Sequence, residues 1–147
     1  MISYEEAIDI IEKNSVLIGT ETVGLGESLN RVLRRDVLSD IDMPPFDKSA
    51  MDGYACRRQD LGNILEVVEV IQAGYSPSFS IGENQCAKIM TGAKLPDGAD
   101  CVIIVEEVQE VSPGRIRHVG PQALANICRK GEDVLAGTLL VPSGTRI

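Results

Sequence analysis

The chain has 147 residues, of which 44% are hydrophobic, 24% charged and only 3% aromatic, and its net charge is −8. The acidic balance argues against a nucleic-acid partner, because binding phosphates takes clustered lysine and arginine and stacking on bases takes aromatic side chains. No apolar run approaches the ~20 residues that span a membrane, and acidic residues stand where a secretion signal carries basic ones, so we expect a cytoplasmic protein without a membrane partner.

The first predicted element is a helix over residues 3–14. Ser3 followed by Glu6 three residues later has the pattern of a capping box. Apolar residues recur with helical spacing and predict one buried face, formed by Tyr4, Ala7, Ile8 and Ile11. One or two further helical turns are predicted at 27–33.

Residues 39–56 form a stiff connector in this interpretation. Four aspartates, Asp40, Asp42, Asp47 and Asp52, flank the pair Pro44-Pro45. Proline fixes its own backbone angle and restricts the preceding residue, so the segment is expected to be extended and to cross between two lobes.

Strands dominate the remainder of the chain. They are predicted at 64–71, 85–90, 101–108, 115–119 and 137–141, with a hairpin turn at Ser112-Pro113-Gly114. No segment of helical period lies between them, so βαβ units are not expected. The pattern predicts an α+β, β-rich fold.

The four cysteines, Cys56, Cys86, Cys101 and Cys128, contain no C-x-x-C pair. The single histidine, His118, does not complete a zinc-finger pattern. Buried free thiols are the prediction. His118 lies in an alternating segment and is expected at the surface or rim rather than as a catalytic base.

Three short segments contain residues that could act in binding or catalysis, and each also has a purely structural interpretation. Asp52-Gly53 is either a simple turn or a carboxylate held at a rigid tip, suited to Mg²⁺, which prefers oxygen ligands. Thr91-Gly92 is either the end of a strand or a hydroxyl and free amides facing an oxyanion. Gly131–Val134, with Asp133, is either a charged turn or part of a site.

Taken together, these segments resemble the MoeA/gephyrin family of molybdopterin molybdenumtransferases, in matching order and across essentially the whole chain. The resemblance rests on three blocks: Pro44–Ala55 (PPFDKSAMDGYA); Ile89–Ala93 (IMTGA) with Leu95–Asp100 (LPDGAD) and Glu106-Glu107; and Asn126-Ile127, Arg129–Asp133 (RKGED), Gly137 and Pro142–Thr145 (PSGT).

The resemblance implies an enzyme that inserts molybdate into adenylylated molybdopterin and releases AMP, with Mg²⁺ as the cation; some relatives handle tungstate. It implies a homodimer, whose cleft lies between this lobe and a later α/β domain of the partner. Asp52 would organise the cation or substrate, Thr91 would contact an oxyanion, and Asp133 would support them. Ser49 and Glu107 are lesser, substrate-binding candidates.

The family fold implies an elongated N-terminal lobe with one N-terminal helix and an inserted barrel-like β module. Its subdomains are expected at 1–44 with 134–147, and at 45–133. Family members are much longer than this chain, so we expect an N-terminal fragment that is inactive by itself. An interaction or dimerisation scaffold of gephyrin type is the alternative, and a generic small-molecule β-barrel ranks below both.

Overall fold

One helix and ten short strands make up the regular structure of the described part of the chain, residues 2–16, 18–121 and 125–147 of the computed structural model. The helix is α1 (Tyr4–Asn14). The strands are β1 (Val37–Leu38), β2 (Lys48–Ser49), β3 (Gly53–Cys56), β4 (Ile64–Ile71), β5 (Gln85–Ile89), β6 (Cys101–Ile104), β7 (Val108–Ser112), β8 (Arg115–His118), β9 (Ile127–Cys128) and β10 (Leu139–Val141). The predicted α+β, β-rich class is confirmed.

The chain divides into two compact units. The first comprises Met1–Val37 and Leu140–Ile147, and the second comprises Leu38–Leu139. None of the described residues of the first unit is buried, whereas the second unit contains the hydrophobic core. The subdomain bounds expected from the family resemblance, 1–44 with 134–147 and 45–133, stay a prediction.

Helix α1 begins as predicted, but its apolar face is not covered. The Ser3 hydroxyl accepts from the Glu6 N–H at 3.1 Å, and the Glu6 carboxylate accepts from the Ser3 N–H at 2.9 Å, which completes the capping box. Tyr4 is 76% exposed and Ile11 63% exposed, so the expectation of a buried face is wrong for this chain. Helical spacing determines which residues share a face, not whether another element packs on it.

Residues 27–33 do not form the predicted helical turns. A short 3-10 turn spans Leu25–Glu27, and Val32 then forms an antiparallel bridge with Arg146. The Leu33 carbonyl accepts from the Gly144 N–H at 2.8 Å. This pairing joins segments more than a hundred residues apart, so the local pattern does not reveal it.

The largest sheet has six strands in the order β6-β3-β5-β4-β8-β7, curled into a half-barrel. All its pairs are antiparallel except β4 with β5, which run parallel from Glu66 opposite Gln85 to Ile71 opposite Ile89. The predicted strand over 101–108 is broken, because a 3-10 turn at Val105–Glu107 separates β6 from β7. The β2–β9 pair forms a separate two-stranded sheet, and β1 pairs with β10.

The centre of the six-stranded sheet is buried on both faces. Successive strand residues point to opposite faces, so Ala55 and Cys56 enter different hydrophobic clusters. Aliphatic side chains fill the buried part of one cluster, and aliphatic side chains with three cysteines fill that of the other, as the scarcity of aromatic residues leads one to expect. All four cysteines are free; Cys128 is half-buried and the other three are buried, which confirms the prediction of buried thiols for Cys56, Cys86 and Cys101.

Candidate functional site

Asp52 lies in the short turn that joins β2 to β3, and strand pairing anchors both ends of that turn. β2 pairs with β9, and β3 lies between β5 and β6. Gly53 is required at the first position of β3, because a Cβ atom there would lie 2.1 Å from the carbonyl oxygen of Ile103. The carboxylate of Asp52 therefore projects from a backbone whose position is determined by its neighbours.

Asp52 and Thr91 are joined directly. The backbone N–H and the hydroxyl of Thr91 both donate to Oδ1 of Asp52, each at 2.7 Å. These two bonds, the N–H first, lower the pKa of the Asp52 carboxyl below its ordinary value of 3.8. Asp52 is exposed and its Oδ2 accepts no hydrogen bond from any described residue. An ionised carboxylate with one free oxygen is thus held at the surface.

Ser49 joins the turn that carries Asp52 to the loop that carries Thr91. Its N–H donates to the carbonyl of Ala93 at 2.9 Å, and its own carbonyl accepts from Gly92 at 2.8 Å. Gly92 has a φ of +80°, which an L side chain rarely adopts. The Ser49 hydroxyl donates to the carbonyl of Met51 at 2.6 Å, and the residue is only 1% exposed. The substrate-binding role predicted for Ser49 stays a prediction.

Asn126 also supports the turn, and sequence reasoning gave it no such role. Its side-chain amide donates to the carbonyl of Val102 at 2.8 Å, and its own carbonyl accepts from the Ala50 N–H at 2.9 Å. The residue adopts a φ of +50°, a left-handed conformation that asparagine tolerates better than most residues. The sequence signal for this role was an asparagine directly before β9, since asparagine often occupies left-handed turn positions.

Asp133 occupies a different turn, after β9. Its backbone N–H donates to the carbonyl of Met43 at 3.0 Å, and the side chain is exposed. Within the described ranges no hydrogen bond joins Asp133 to Asp52, Thr91 or Ser49. The supporting role predicted for Asp133 therefore remains a prediction.

Glu107, in the 3-10 turn directly before β7, pairs with His118 at the end of β8. The Glu107 Oε2 and His118 Nε2 atoms lie 3.5 Å apart, and the histidine side chain is only 8% exposed. The side chain is thus mostly covered while the residue as a whole is half-buried, so His118 lies at the rim of the core rather than on the open surface. The signal was the alternation of β8, because His118 shares a face with Ile116, which is buried. No described hydrogen bond joins Glu107 to Asp52 or Thr91.

The chain does not contain a complete metal site among its described residues. No group of three or more histidine, cysteine, aspartate or glutamate side chains is arranged to hold a metal ion. Asp52 fits the role of a single carboxylate ligand, since Mg²⁺ is commonly held by one or two carboxylates together with substrate phosphates and water. Within the same described residues, no helix has the length and apolar character needed to cross a bilayer.

Comparison with known proteins gives one consistent result. Residues 2–147 match the family model described as MoeA N-terminal region (domain I and II). A molybdopterin molybdenumtransferase of Staphylococcus epidermidis is 35% identical over 99% of this chain and 36% of its own length, and that of Bacillus subtilis is 35% identical over 87% and 32%.

A crystal structure of the MoeA molybdopterin biosynthesis protein from Pyrococcus horikoshii OT3 matches the fold with a TM-score of 0.85. It is 33% identical to this chain, and the match covers 100% of this chain and 41% of that one. The chain thus spans about a third of the length of the curated relatives that it matches.

Proposed function

We propose that this chain, which belongs to the family of MoeA N-terminal regions, supplies the Asp52–Thr91 pair to a molybdopterin molybdenumtransferase active site. The complete enzyme would insert molybdate into adenylylated molybdopterin, release AMP and yield the molybdenum cofactor. The observation that carries the proposal is the double hydrogen bond from Thr91 to Asp52, which holds an ionised carboxylate within the segment that resembles the family signature.

Asp52 has the chemistry that this reaction needs on the cation side. The substrates are anionic, so a carboxylate such as that of Asp52 close to them is unfavourable unless a cation lies between them. The free Oδ2 of Asp52 would bind Mg²⁺, and the ion would neutralise charge on the adenylyl phosphate. The Thr91 donors keep Asp52 ionised and oriented, which makes Thr91 a positioning residue in this conformation.

The oxyanion contact predicted for Thr91 requires that Thr91 first release Asp52. Its hydroxyl hydrogen and its N–H both point to Asp52 Oδ1, so neither is available to molybdate unless that bond is released. Asp133 as a supporting residue, and Ser49 and Glu107 as substrate-binding residues, are the further members of the proposed site. Ser49 is buried, so its proposed contribution to substrate binding is indirect, through the support that it gives to the Asp52 turn.

We further propose that the complete enzyme is a cytoplasmic homodimer and that residues 1–147 alone do not convert the substrate. The described residues supply a carboxylate and a hydroxyl but no full cation site. The net charge of −8 also disfavours binding of an anionic pterin and molybdate by this region alone.

A chimera tests the proposed function. The matching region of the Staphylococcus epidermidis relative is replaced by residues 1–147, and the purified chimera is given adenylylated molybdopterin, molybdate and Mg²⁺. We expect AMP release and pterin-bound molybdenum from the chimera, and neither from residues 1–147 alone. A correctly folded chimera that releases no AMP would overturn the assignment, and turnover by residues 1–147 alone would overturn the claim that they are inactive.

A second candidate function, an interaction or dimerisation scaffold, is favoured by the exposed apolar side chains of the first unit. Ile18 is 100% exposed and Leu25 90% exposed. Where such side chains form one contiguous patch, they commonly mark an interaction surface. Light scattering on residues 1–147 without Mg²⁺ or pterin tests it: self-association that Leu25→Asp abolishes supports the scaffold function, and a monomer at all concentrations contradicts it.

A further inference from the structure

Three buried cysteines form a row across three neighbouring strands. Cys56 in β3 lies opposite Cys86 of β5 on one side and opposite Cys101 of β6 on the other. Residues directly opposite each other in a sheet point to the same face, so the three thiols share one hydrophobic cluster. Each of the three is 0% exposed.

Cys56 and Cys101 are close enough to form a bond. Their Sγ atoms lie 3.6 Å apart. Directly opposite residues of antiparallel strands have Cα atoms about 4.5–5.5 Å apart, which lies within the range of about 4.4–6.8 Å that disulfides span. Closing the gap to a bond length of about 2.05 Å takes side-chain rotation and no change of strand register.

The two thiols are chemically unequal. Either thiol can donate in the Cys56–Cys101 hydrogen bond, and Cys101 Sγ also lies within donating distance, 3.6 Å, of the Cys56 carbonyl. The bond between the thiols lowers the pKa of Cys101, whereas the same bond and burial raise the pKa of Cys56. Burial raises the pKa of Cys86 to about 12. The thiolate is the reactive form, and Cys101 lies on the edge strand β6, so we expect Cys101 to be the first of the three to react with an oxidant.

Because Cys101 is buried, a small molecule would reach it through local opening of β6. β6 is an edge strand of the six-stranded sheet. Among the described residues, its outer side bonds to Ala125 and Asn126, because the Val102 N–H donates to the Ala125 carbonyl and the Asn126 amide donates to the Val102 carbonyl. Local opening at an edge costs less free energy than opening of a central strand. Cys86 lies on β5, which is paired on both sides.

We propose that Cys56 and Cys101 are a redox-active dithiol that a peroxide converts to a cross-strand disulfide. The Cys101 thiolate attacks the peroxide, an S–O bond forms as the O–O bond breaks, and Cys101 becomes a sulfenic acid while hydroxide leaves. Cys56 then attacks the Cys101 sulfur, the S–S bond forms as the S–O bond breaks, and a second hydroxide leaves. With the two thiol protons the products are the disulfide and two waters for each hydrogen peroxide consumed.

The disulfide would tie the end of β3 to the start of β6, at the opposite end of this strand pair from the Asp52 turn. β3 begins at Gly53, and the Asp52 carbonyl already accepts from the Val105 N–H that follows β6. A cross-link between residues 45 positions apart restricts the unfolded chain and raises the unfolding temperature by several degrees.

Peptide mapping tests the proposal, since trypsin separates the four cysteines. The folded chain is treated with hydrogen peroxide, free thiols are alkylated, and the protein is digested without reductant. The cysteine-bearing peptides, in the order Cys56, Cys86, Cys101 and Cys128, are 49–57, 59–88, 95–115 and 118–129. We expect a cross-linked product of 49–57 with 95–115 that has lost two hydrogen atoms.

Two variants separate the proposed pair from its neighbours. Cys86→Ala should give the same cross-link as the unsubstituted chain. Cys56→Ala should give none, and its Cys101 should stop at the sulfenic acid, which dimedone captures. Should Cys56→Ala not fold, the unsubstituted chain and Cys86→Ala still decide the question.

Several results would overturn the proposal. They are a cross-link to Cys86 or Cys128 in place of Cys101, unreacted Cys56 and Cys101 in the folded chain, and a Cys56–Cys101 cross-link that forms only in denaturant. A Cys101 that passes to the sulfinic acid in the unsubstituted chain would also contradict it, since Cys56 would then not have intercepted the sulfenic acid.

Discussion

Asp52 receives two hydrogen bonds on a single carboxylate oxygen, and both come from Thr91. One donor is the backbone N–H and the other is the side-chain hydroxyl, so substitution of Thr91 removes only the second. Each donor stabilises the charged form of the carboxylate, which is why the pKa of Asp52 lies below 3.8. The pair can therefore be separated experimentally, one donor at a time.

Thr91→Val should raise the pKa of Asp52 toward 3.8 without restoring it fully, because the backbone N–H remains. A carboxyl ¹³C NMR titration of residues 1–147 measures this. A carboxyl whose pKa is lower in the folded state stabilises that state at pH values above its unfolded-state pKa. The stabilisation from Asp52 is therefore lost as the pH falls through the native pKa of its carboxyl.

Thr138→Val, at an exposed threonine, is the matched control and should leave the Asp52 titration unchanged. If Asp52 titrates at the same pH in Thr91→Val as in the unsubstituted chain, the hydroxyl bond does not hold the carboxylate in solution.

Gly53→Ala should destabilise the second unit by about 1–3 kcal/mol, since it forces extra volume into a well-packed contact. The added Cβ would lie 2.1 Å from the Ile103 carbonyl oxygen, a backbone atom that moves only with β6. Gly62→Ala is the control, because a Cβ at Gly62 has no neighbour within 4 Å. Urea unfolding followed by circular dichroism compares the two. Equal midpoints would show that β6 adapts at little cost.

At the scale of elements, the correct predictions are those that depend on interactions between residues close in the sequence. The capping box of α1 and the strand β4 were both predicted from the sequence, since each depends on neighbouring residues alone. The parallel pairing of β4 with β5 was not, because it joins strands across residues 72–84 without a helix. The break at Val105–Glu107 was also missed, because the Val105 N–H bonds to the distant Asp52 carbonyl.

The site shows the same division. Sequence reasoning identified Asp52, Thr91 and Ser49, and the structure brings these three together. Sequence reasoning did not reveal the support from Asn126, because that residue bonds to Ala50 and Val102, which are far away in the sequence.

Asp47 links the connector before β2 to the turn after β9. Its carboxylate accepts from Arg129 Nη1 at 2.6 Å and from the Lys130 N–H at 2.8 Å, and these contacts, the Lys130 N–H first, lower its pKa. Asp47→Asn should cost about 1 kcal/mol, a value discounted because the ion pair is partly exposed to solvent.

Asp40→Asn is the control for this element, since no hydrogen bond or ion pair is found for Asp40 in the described ranges. Urea midpoints at pH 7 measure both variants. The difference between them should shrink as the pH falls below 3.8 through the native pKa of Asp47, where the unsubstituted side chain also becomes neutral. A difference that persists at low pH would assign the effect to something other than charge.

At the scale of the molecule, burial is concentrated in the second unit. Its sheet contains residues such as Ala55, Ile89 and Val102 that are 0% exposed, whereas no described residue of the first unit is buried. Regions with few buried contacts open at lower free energy than a packed sheet.

Amide hydrogen exchange should therefore separate the two units. We expect the amides of β3, β5 and β6 to exchange at least about 100-fold more slowly than those of α1, since opening the sheet requires exposing its core. Mass spectrometry of the exchanged chain measures both groups in one sample. Uniform protection across α1 and the sheet would show that the first unit is stabilised in a way that burial does not reveal.

The most direct test of the proposed role of this region is molybdenum insertion by the chimera with Asp52→Asn. Asparagine keeps an oxygen for the Thr91 donors but removes the charge, so AMP release should fall by at least about 100-fold with the fold intact. Asp97→Asn, at an exposed aspartate in the loop after Thr91, should retain nearly full activity. An Asp52→Asn chimera that releases AMP at the rate of the unsubstituted chimera would contradict the account.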